Sequence, residues 1–180
     1  MNLKNVQTAI LGGGCFWCIE AAFSRVTGVI SAKSGYSGGK THSPDYKSVC
    51  TGQTGHAEVV EVSFNPEQIT YEELLLIFFA IHDPTQLNRQ GNDIGTQYRS
   101  VIFPVNDEQK IAATELIGKL SDSDEFSDEL VTTIEPLATF YPAEDYHDDY
   151  YDQNANQPYC QLVIKPKLDK LIDRFSNRLK

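Results

Sequence analysis

Basic residues are scarce in this sequence. Its 180 residues include 15 Lys and Arg against 25 Asp and Glu, which gives a formal net charge of −10 at pH 7. A surface of this sign repels phosphate groups, so we expect no nucleic-acid partner and no membrane partner. Long apolar runs are missing too. No stretch approaches the roughly 20 residues of a membrane-spanning helix, and the N-terminus carries no apolar signal-peptide core. We therefore expect a cytoplasmic protein.

Internal repeats and low-complexity segments are also absent, and sulfur-containing residues are few. The sequence contains one methionine, Met1, and four cysteines: Cys15, Cys18, Cys50 and Cys160. Without an export signal, we expect free or catalytic thiols rather than a disulfide framework. A chain of 180 residues is long enough for one domain with a sizeable core. We interpret residues 1–180 as a single domain that acts as a monomer.

The clearest functional signal is a cysteine at a turn from a strand into a helix. Cys15 follows a short apolar run and three glycines, and the apolar residues behind it recur at helical spacing. Unpaired N–H groups at a helix N-terminus favour negative charge, so we expect the Cys15 thiol to ionise readily and act as a nucleophile. Phe16 and Trp17 come next and predict an apolar pocket. The alternative is a buried structural cysteine with core aromatics.

A possible proton donor lies on the most regular strand of the sequence, residues 57–64. Alternation places Glu58 on the same face as Val60, Val62 and Phe64. Burial disfavours the carboxylate and would raise its pKa, as a general acid at neutral pH requires. The alternative is a glutamate at the strand end that turns into solvent.

Strands and helices alternate along the rest of the chain. Thr70 and Glu73 form a capping box ahead of a helix that ends before Pro84. We expect a polar loop at 85–96 and further strands at 29–34, 98–103, 130–134 and 160–164. A helix at 107–120 should face inward with Ile111, Leu116 and Leu120. A closing helix should carry an apolar stripe of Leu168, Leu171, Ile172, Phe175 and Leu179. This order predicts one domain in which helices cover a mixed sheet.

An acidic segment near residue 145 offers a weak case for a metal site. Glu144, Asp145, His147 and Asp148 stand close together in the sequence. However, no second histidine follows four residues later, and the same residues suit an exposed helix start. We therefore predict that the protein holds no metal.

Several motifs together resemble one known family. They are Gly14-Cys15-Phe16-Trp17, Gly35-Tyr36-Ser37-Gly38-Gly39, Gly52-Gln53-Thr54-Gly55-His56-Ala57-Glu58, His82-Asp83-Pro84 and the run from Arg89 to Ser100. In this order, over nearly the whole chain, they resemble the type A peptide-methionine sulfoxide reductases, enzymes that repair oxidised methionine. The resemblance implies an α+β fold: a two-layer α/β sandwich with a mixed sheet and a ferredoxin-like split β-α-β core. It also implies that the single domain is catalytic.

The resemblance also implies an activity and roles for individual residues. Such an enzyme reduces the S-epimer of methionine sulfoxide, free or in proteins, through a sulfenic acid and then a disulfide. It implies no metal and no bound organic cofactor, with thioredoxin, or dithiothreitol in vitro, as the reductant. The implied roles are Cys15 as nucleophile, Phe16 and Trp17 as walls for the S-methyl group, Glu58, Tyr46 and Tyr98 as partners of the sulfoxide oxygen, and Asp93 with His147 as holders of the substrate backbone.

The cysteine that resolves the sulfenic acid is open among three candidates. The resemblance favours Cys160, near the C-terminus, although the apparent strand that follows it and the lack of any glycine after Gly118 would hold it stiffly. Cys18 lies one helical turn from Cys15, where side chains three residues apart share a face. Cys50 is third, close in sequence to Tyr46.

Two other functions compete with this interpretation. Cys15 and Cys18 form a C-x-x-C pair, so a thioredoxin-like dithiol oxidoreductase is one alternative. That alternative leaves Glu58 and the tyrosines without a role. The second is a non-enzymatic metal-binding module that collects the four cysteines, which a single C-x-x-C pair supports weakly.

Overall fold

The computed structural model describes residues 5–180. The strands are β1 (Gln7–Gly13), β2 (Val29–Ser37), β3 (Ala57–Phe64), β4 (Arg89–Gln90), β5 (Asp93–Ile94), β6 (Ser100–Phe103), β7 (Thr133–Ile134) and β8 (Tyr141–Pro142). The α-helices are α1 (Phe16–Phe23), α2 (Tyr46–Cys50), α3 (Tyr71–Ile81), α4 (Asp107–Ser121), α5 (Tyr150–Asn154) and α6 (Lys165–Phe175). Within residues 5–180, no helix has both the length and the apolar character needed to cross a membrane.

Six strands form one mixed sheet in the order β7-β6-β1-β3-β2-β8. Strand β1 pairs antiparallel with both β3 and β6, β2 pairs antiparallel with β3, and only β6 and β7 run parallel. The series β1-α1-β2-β3-α3-β6, with its strands ordered β6-β1-β3-β2, is the ferredoxin-like split β-α-β core. The expected α+β fold with a mixed sheet is confirmed.

The two faces of the sheet are covered differently. The main core lies between the sheet and the helices, and it includes Val60 and Val62 of β3, Phe23 of α1, Phe78 of α3 and Leu116 of α4. A smaller cluster on the opposite face joins Ile10, Ala57, Val59, Val101 and Phe103 to Val105 and Phe140 of the loops. Strand β3 is therefore buried on both faces, and its Glu58 lies on the helix-covered side.

Helix α3 begins as the sequence predicts. The Thr70 hydroxyl accepts the backbone N–H of Glu73 at 3.2 Å, and the Glu73 carboxylate accepts the backbone N–H of Thr70 at 2.8 Å. The capping box satisfies two of the N–H groups that a helix start leaves open. The helix ends before His82, whose backbone is extended.

The expected strand at 160–164 is wrong. Cys160–Ile164 forms one turn of π-helix, called here the π turn, that runs directly into α6. A strand would place Cys160, Leu162 and Ile164 on one face. Instead Leu162 is 77% exposed while Cys160 and Ile164 are fully buried, because a four-residue repeat continues through Leu168 to the core.

Smaller corrections concern element ends and helix faces. The strand expected at 98–103 begins at Ser100, after a 3₁₀ turn at Thr96–Tyr98, and the strand expected at 130–134 is only Thr133–Ile134. Ile111 and Ile172, expected to face inward, are exposed because the buried faces of α4 and α6 are narrower than the apolar stripes of their sequences.

Candidate active site

The turn that carries Cys15 requires glycine before the cysteine. Gly14 has φ of +93°, a left-handed conformation, and a Cβ there would come within 2.5 Å of the Gln90 side chain. Cys15 itself is the N-cap of α1, and only 6% of its surface is exposed. The turn thus places a thiol at the N-terminus of a helix, as predicted, and encloses it.

The protonation of Cys15 differs from the expectation. Burial raises the pKa of the Cys15 thiol well above its ordinary value, and the nearby Cys18 and Glu58 raise it further. At the same time, the Cys15 thiol stabilises a negative charge on Cys18 and lowers the pKa of Cys18 to about 7, with help from Lys167. Burial of the thiol therefore opposes the easy ionisation that its place at a helix N-terminus predicts.

Glu58 is a buried carboxyl beside this turn. Its Oε1 accepts the backbone N–H of Phe16 at 3.2 Å, and only 1% of the residue is exposed. Burial raises the pKa of Glu58 to about 8. Its Oε2 is buried and has no hydrogen-bond partner within residues 5–180. The alternative in which Glu58 turns into solvent is wrong, and the carboxyl holds its proton at neutral pH.

An aromatic cluster flanks the thiol. The Trp17 indole stacks on Tyr150 with ring centroids 3.7 Å apart and an interplanar angle of 6°. Its N–H donates to Nδ1 of His147 at 3.0 Å. The Phe16 ring lies 5.0 Å from the His147 ring and 6.2 Å from the Tyr46 ring. Phe16, which is fully buried, and Trp17 both pack against the His147 ring, with centroids 5.0 Å and 5.8 Å away.

His147 is held in one tautomer. An indole N–H can only donate, so Nδ1 of His147 accepts and Nε2 carries the proton. Burial lowers the pKa of His147, which keeps the ring neutral. Nε2 is buried without a partner among residues 5–180. His147 therefore orients Trp17, a role that the sequence did not predict.

Both predicted tyrosines lie near Glu58. Tyr46 opens α2, and its backbone N–H donates to Oε2 of Glu144 at 3.1 Å, while Tyr36 donates its hydroxyl to Oε1 of the same residue at 2.9 Å. Tyr98 lies in the 3₁₀ turn before β6. Burial raises the pKa of both Tyr46 and Tyr98, and the charge of Glu58 adds to it, so both hydroxyls remain hydrogen-bond donors.

Asp93 is joined to the cysteine pair by a residue that the sequence analysis missed. The Tyr159 hydroxyl donates to Oδ2 of Asp93 at 2.6 Å. Burial raises the pKa of Tyr159, and the nearby Cys15 and Cys18 thiols raise it further. Glu144 was likewise missed as the residue that anchors Tyr46. The one local signal for Tyr159 is its place directly before Cys160.

The fold gives the remaining candidate residues different surroundings. Cys50 is exposed at the end of α2, whereas Cys18 and Cys160 are buried, and all four cysteines are free thiols. The acidic residues near 145 have other contacts, since Glu144 holds Tyr36 and Tyr46. No group of three or more His, Cys, Asp or Glu side chains within residues 5–180 is arranged to hold a metal ion.

Comparison with known proteins agrees with this arrangement. The family model described as "Peptide methionine sulfoxide reductase" matches residues 7–179. The chain belongs to this family. The matched range includes the cysteine turn, the buried glutamate and both tyrosines.

Relatives in this family match over nearly the full chain. The MsrA of Nitratiruptor sp. is 58% identical over 173 residues, which are 96% of this chain and 98% of that protein. The reduced form of Mxr1 from Saccharomyces cerevisiae matches with a TM-score of 0.75 and 37% identity, covering 88% of this chain and 91% of that one. Mxr1 in complex with Trx2 matches with a TM-score of 0.51 and 26% identity, covering 83% and 87%.

Proposed function

We propose that this protein reduces the S-epimer of methionine sulfoxide, free or in proteins, to methionine. The observation that carries the proposal is the protonated Glu58 carboxyl beside Cys15, with its Oε2 buried and unpaired within residues 5–180. A sulfoxide oxygen supplies the missing acceptor. A buried polar group without a partner costs free energy, so a substrate that pairs with it is favoured.

The chemistry begins with activation of the sulfoxide. Its sulfur is a poor electrophile until the oxygen is protonated. Glu58 gives its proton to that oxygen, and the hydroxyls of Tyr46 and Tyr98 donate hydrogen bonds to it. The Cys15 sulfur attacks the substrate sulfur as a thiolate, methionine leaves, and the oxygen remains on Cys15 as a sulfenic acid. The protonated sulfoxide carries a positive charge that stabilises the Cys15 thiolate, and the Glu58 carboxylate, having given up its own proton, accepts the proton of the Cys15 thiol.

The aromatic cluster supplies the selectivity. Phe16 and Trp17 bury the S-methyl group by apolar contact, and His147 and Tyr150 fix the Trp17 ring. Asp93, held by Tyr159, binds the substrate backbone. Because the methyl group and the oxygen occupy different walls, the arrangement distinguishes one sulfoxide epimer from the other.

A dithiol completes the cycle. The sulfenic acid condenses with a second thiol to a disulfide, which thioredoxin reduces by thiol–disulfide exchange. The Mxr1 complex with Trx2 supports this partner for a protein of the same family. We further propose that the domain of residues 1–180 acts as a cytoplasmic monomer with no bound metal or organic cofactor, and that its net charge of −10 disfavours nucleic acids and membranes.

Turnover of the separate epimers tests this function. Purified protein with dithiothreitol is given the S- or the R-epimer of N-acetylmethionine sulfoxide, and methionine formation is measured. Wild type should reduce the S-epimer only, and Cys15→Ser should be inactive with an unchanged far-UV spectrum. Substantial activity in Cys15→Ser, or equal rates on both epimers, would refute the proposal.

A further inference from the structure

The cysteine beside Cys15 has no role in the reaction as described so far. Cys18 is 1% exposed and lies at the third position of α1, and its backbone N–H donates to the Cys15 carbonyl at 3.1 Å. Residues three apart on a helix share a face, so the two side chains point to the same side. The first thiol that a sulfenic acid on Cys15 meets is therefore Cys18.

The distal cysteine lies in a segment that packs against α1, the helix that carries Cys18. Cys160 is fully buried in the π turn, which packs against α1. The neighbouring aromatics make this contact, since Trp17 and Tyr159 meet edge to face with ring centroids 5.8 Å apart. Burial raises the pKa of Cys160, and a negative charge on the nearby Cys18 raises it further. The three thiols thus follow one another in the order Cys15, Cys18, Cys160.

We propose that Cys18 resolves the sulfenic acid of Cys15 and that Cys160 then takes the disulfide over from Cys15. In the first step the Cys18 sulfur attacks the Cys15 sulfur, the S–OH bond breaks, and the oxygen leaves as water with the proton of Cys18. In the second step the Cys160 sulfur attacks the Cys18 sulfur, and Cys15 leaves and takes up the proton that Cys160 has lost. The second step is a thiol–disulfide exchange with no net oxidation. An external dithiol later reduces the Cys18–Cys160 disulfide.

The order of the thiols and their local structure support both steps. The Cys15 side chain lowers the pKa of Cys18, which favours the thiolate form that the first step needs. A π turn is a rare feature that recurs at functional sites, and this one, in which Cys160 is fully buried, packs against α1. The transfer returns Cys15 to its thiol form inside the substrate pocket, ready for a second substrate.

A burst experiment without reductant tests this relay, which rests on the proposed function. Reduced protein is mixed with excess S-epimer, methionine is counted per chain, and cysteines are trapped with dimedone and iodoacetamide before peptide mapping. Wild type should form about two methionines, one for each oxidation of Cys15. It should end with a Cys18–Cys160 disulfide and a sulfenic acid on Cys15.

The variants separate the two steps. Cys160→Ser should form about one methionine and stop at a Cys15–Cys18 disulfide, and Cys18→Ser should form about one and stop at a dimedone-reactive Cys15. Cys50→Ser, which alters an exposed cysteine, should form about two like wild type. A Cys15–Cys160 disulfide in Cys18→Ser, or loss of the first methionine in both Cys18→Ser and Cys18→Ala, would overturn the relay. If wild type forms no methionine, the proposed function itself fails.

Discussion

At the scale of single residues, Glu58 has a raised pKa, which lowers the stability of the fold at neutral pH. Its pKa is about 8 in the protein, against 4.5 for an unperturbed glutamate. Between these values the folded chain keeps a proton that the unfolded chain has released. The free energy of unfolding therefore falls as pH rises through this range.

We predict that Glu58→Gln removes this pH dependence. Glutamine keeps an oxygen that can accept the Phe16 N–H but has no charge to desolvate. Its Tm should match that of wild type near pH 4 and exceed it at pH 8. Thermal unfolding across this range checks the prediction, with Glu61→Gln on the same strand as the control, because Glu61 is only half-buried. Parallel curves for wild type and Glu58→Gln would mean that Glu58 ionises freely.

Trp17 is the residue on which substrate contact most depends. Its ring is fixed by Tyr150 and by His147, and its loss removes an apolar wall from the site. Trp17→Ala should weaken substrate binding by about 1.5–3 kcal/mol, the scale of burying a large side chain, and raise KM accordingly. Steady-state kinetics and Tm are measured together. A lower Tm with an unchanged KM would assign Trp17 to the core.

At the scale of elements, the π turn changes which side chains matter. Ile164 is fully buried and Leu162 is 77% exposed, although a strand would have placed them on one face. Ile164→Ala should lower the free energy of unfolding by about 2–5 kcal/mol, and Leu162→Ala by less than about 0.5 kcal/mol. Chemical denaturation measures both. Similar losses for the two variants would favour the extended conformation.

Elements with strong local signals could be predicted from the sequence, and the π turn could not. The capping box at Thr70 and Glu73 and the alternation in β3 are local patterns, and both lie in the structure where the sequence placed them. The segment Leu162-Val163-Ile164 has β-forming residues, but its conformation is set by the burial of Cys160 and Ile164 against α1 and by continuity with α6. Tertiary contacts of this kind override local propensity.

At the scale of the whole molecule, the site is assembled from distant parts of the chain. Glu58 bonds to Phe16 across 42 residues, Trp17 to His147 across 130, and Tyr159 to Asp93 across 66. The places of Cys15 at the start of α1 and of Glu58 on a buried face of β3 could be predicted because each has a local pattern. Tyr159, Glu144 and the ionisation of Cys15 could not, because they depend on which surfaces the fold brings together.

The central claim is that Glu58 protonates the sulfoxide oxygen while Cys15 attacks the sulfur. The most direct test is the single-turnover rate of methionine formation by rapid quench, between pH 6 and 9, for wild type, Glu58→Gln and the control Glu61→Gln. The wild-type and control rates should fall together above about pH 8, where Glu58 loses its proton. Glu58→Gln should be slower by on the order of 10²-fold or more, the usual contribution of a general acid, and should lack that fall. A near-normal rate for Glu58→Gln between pH 6 and 8 would contradict the account.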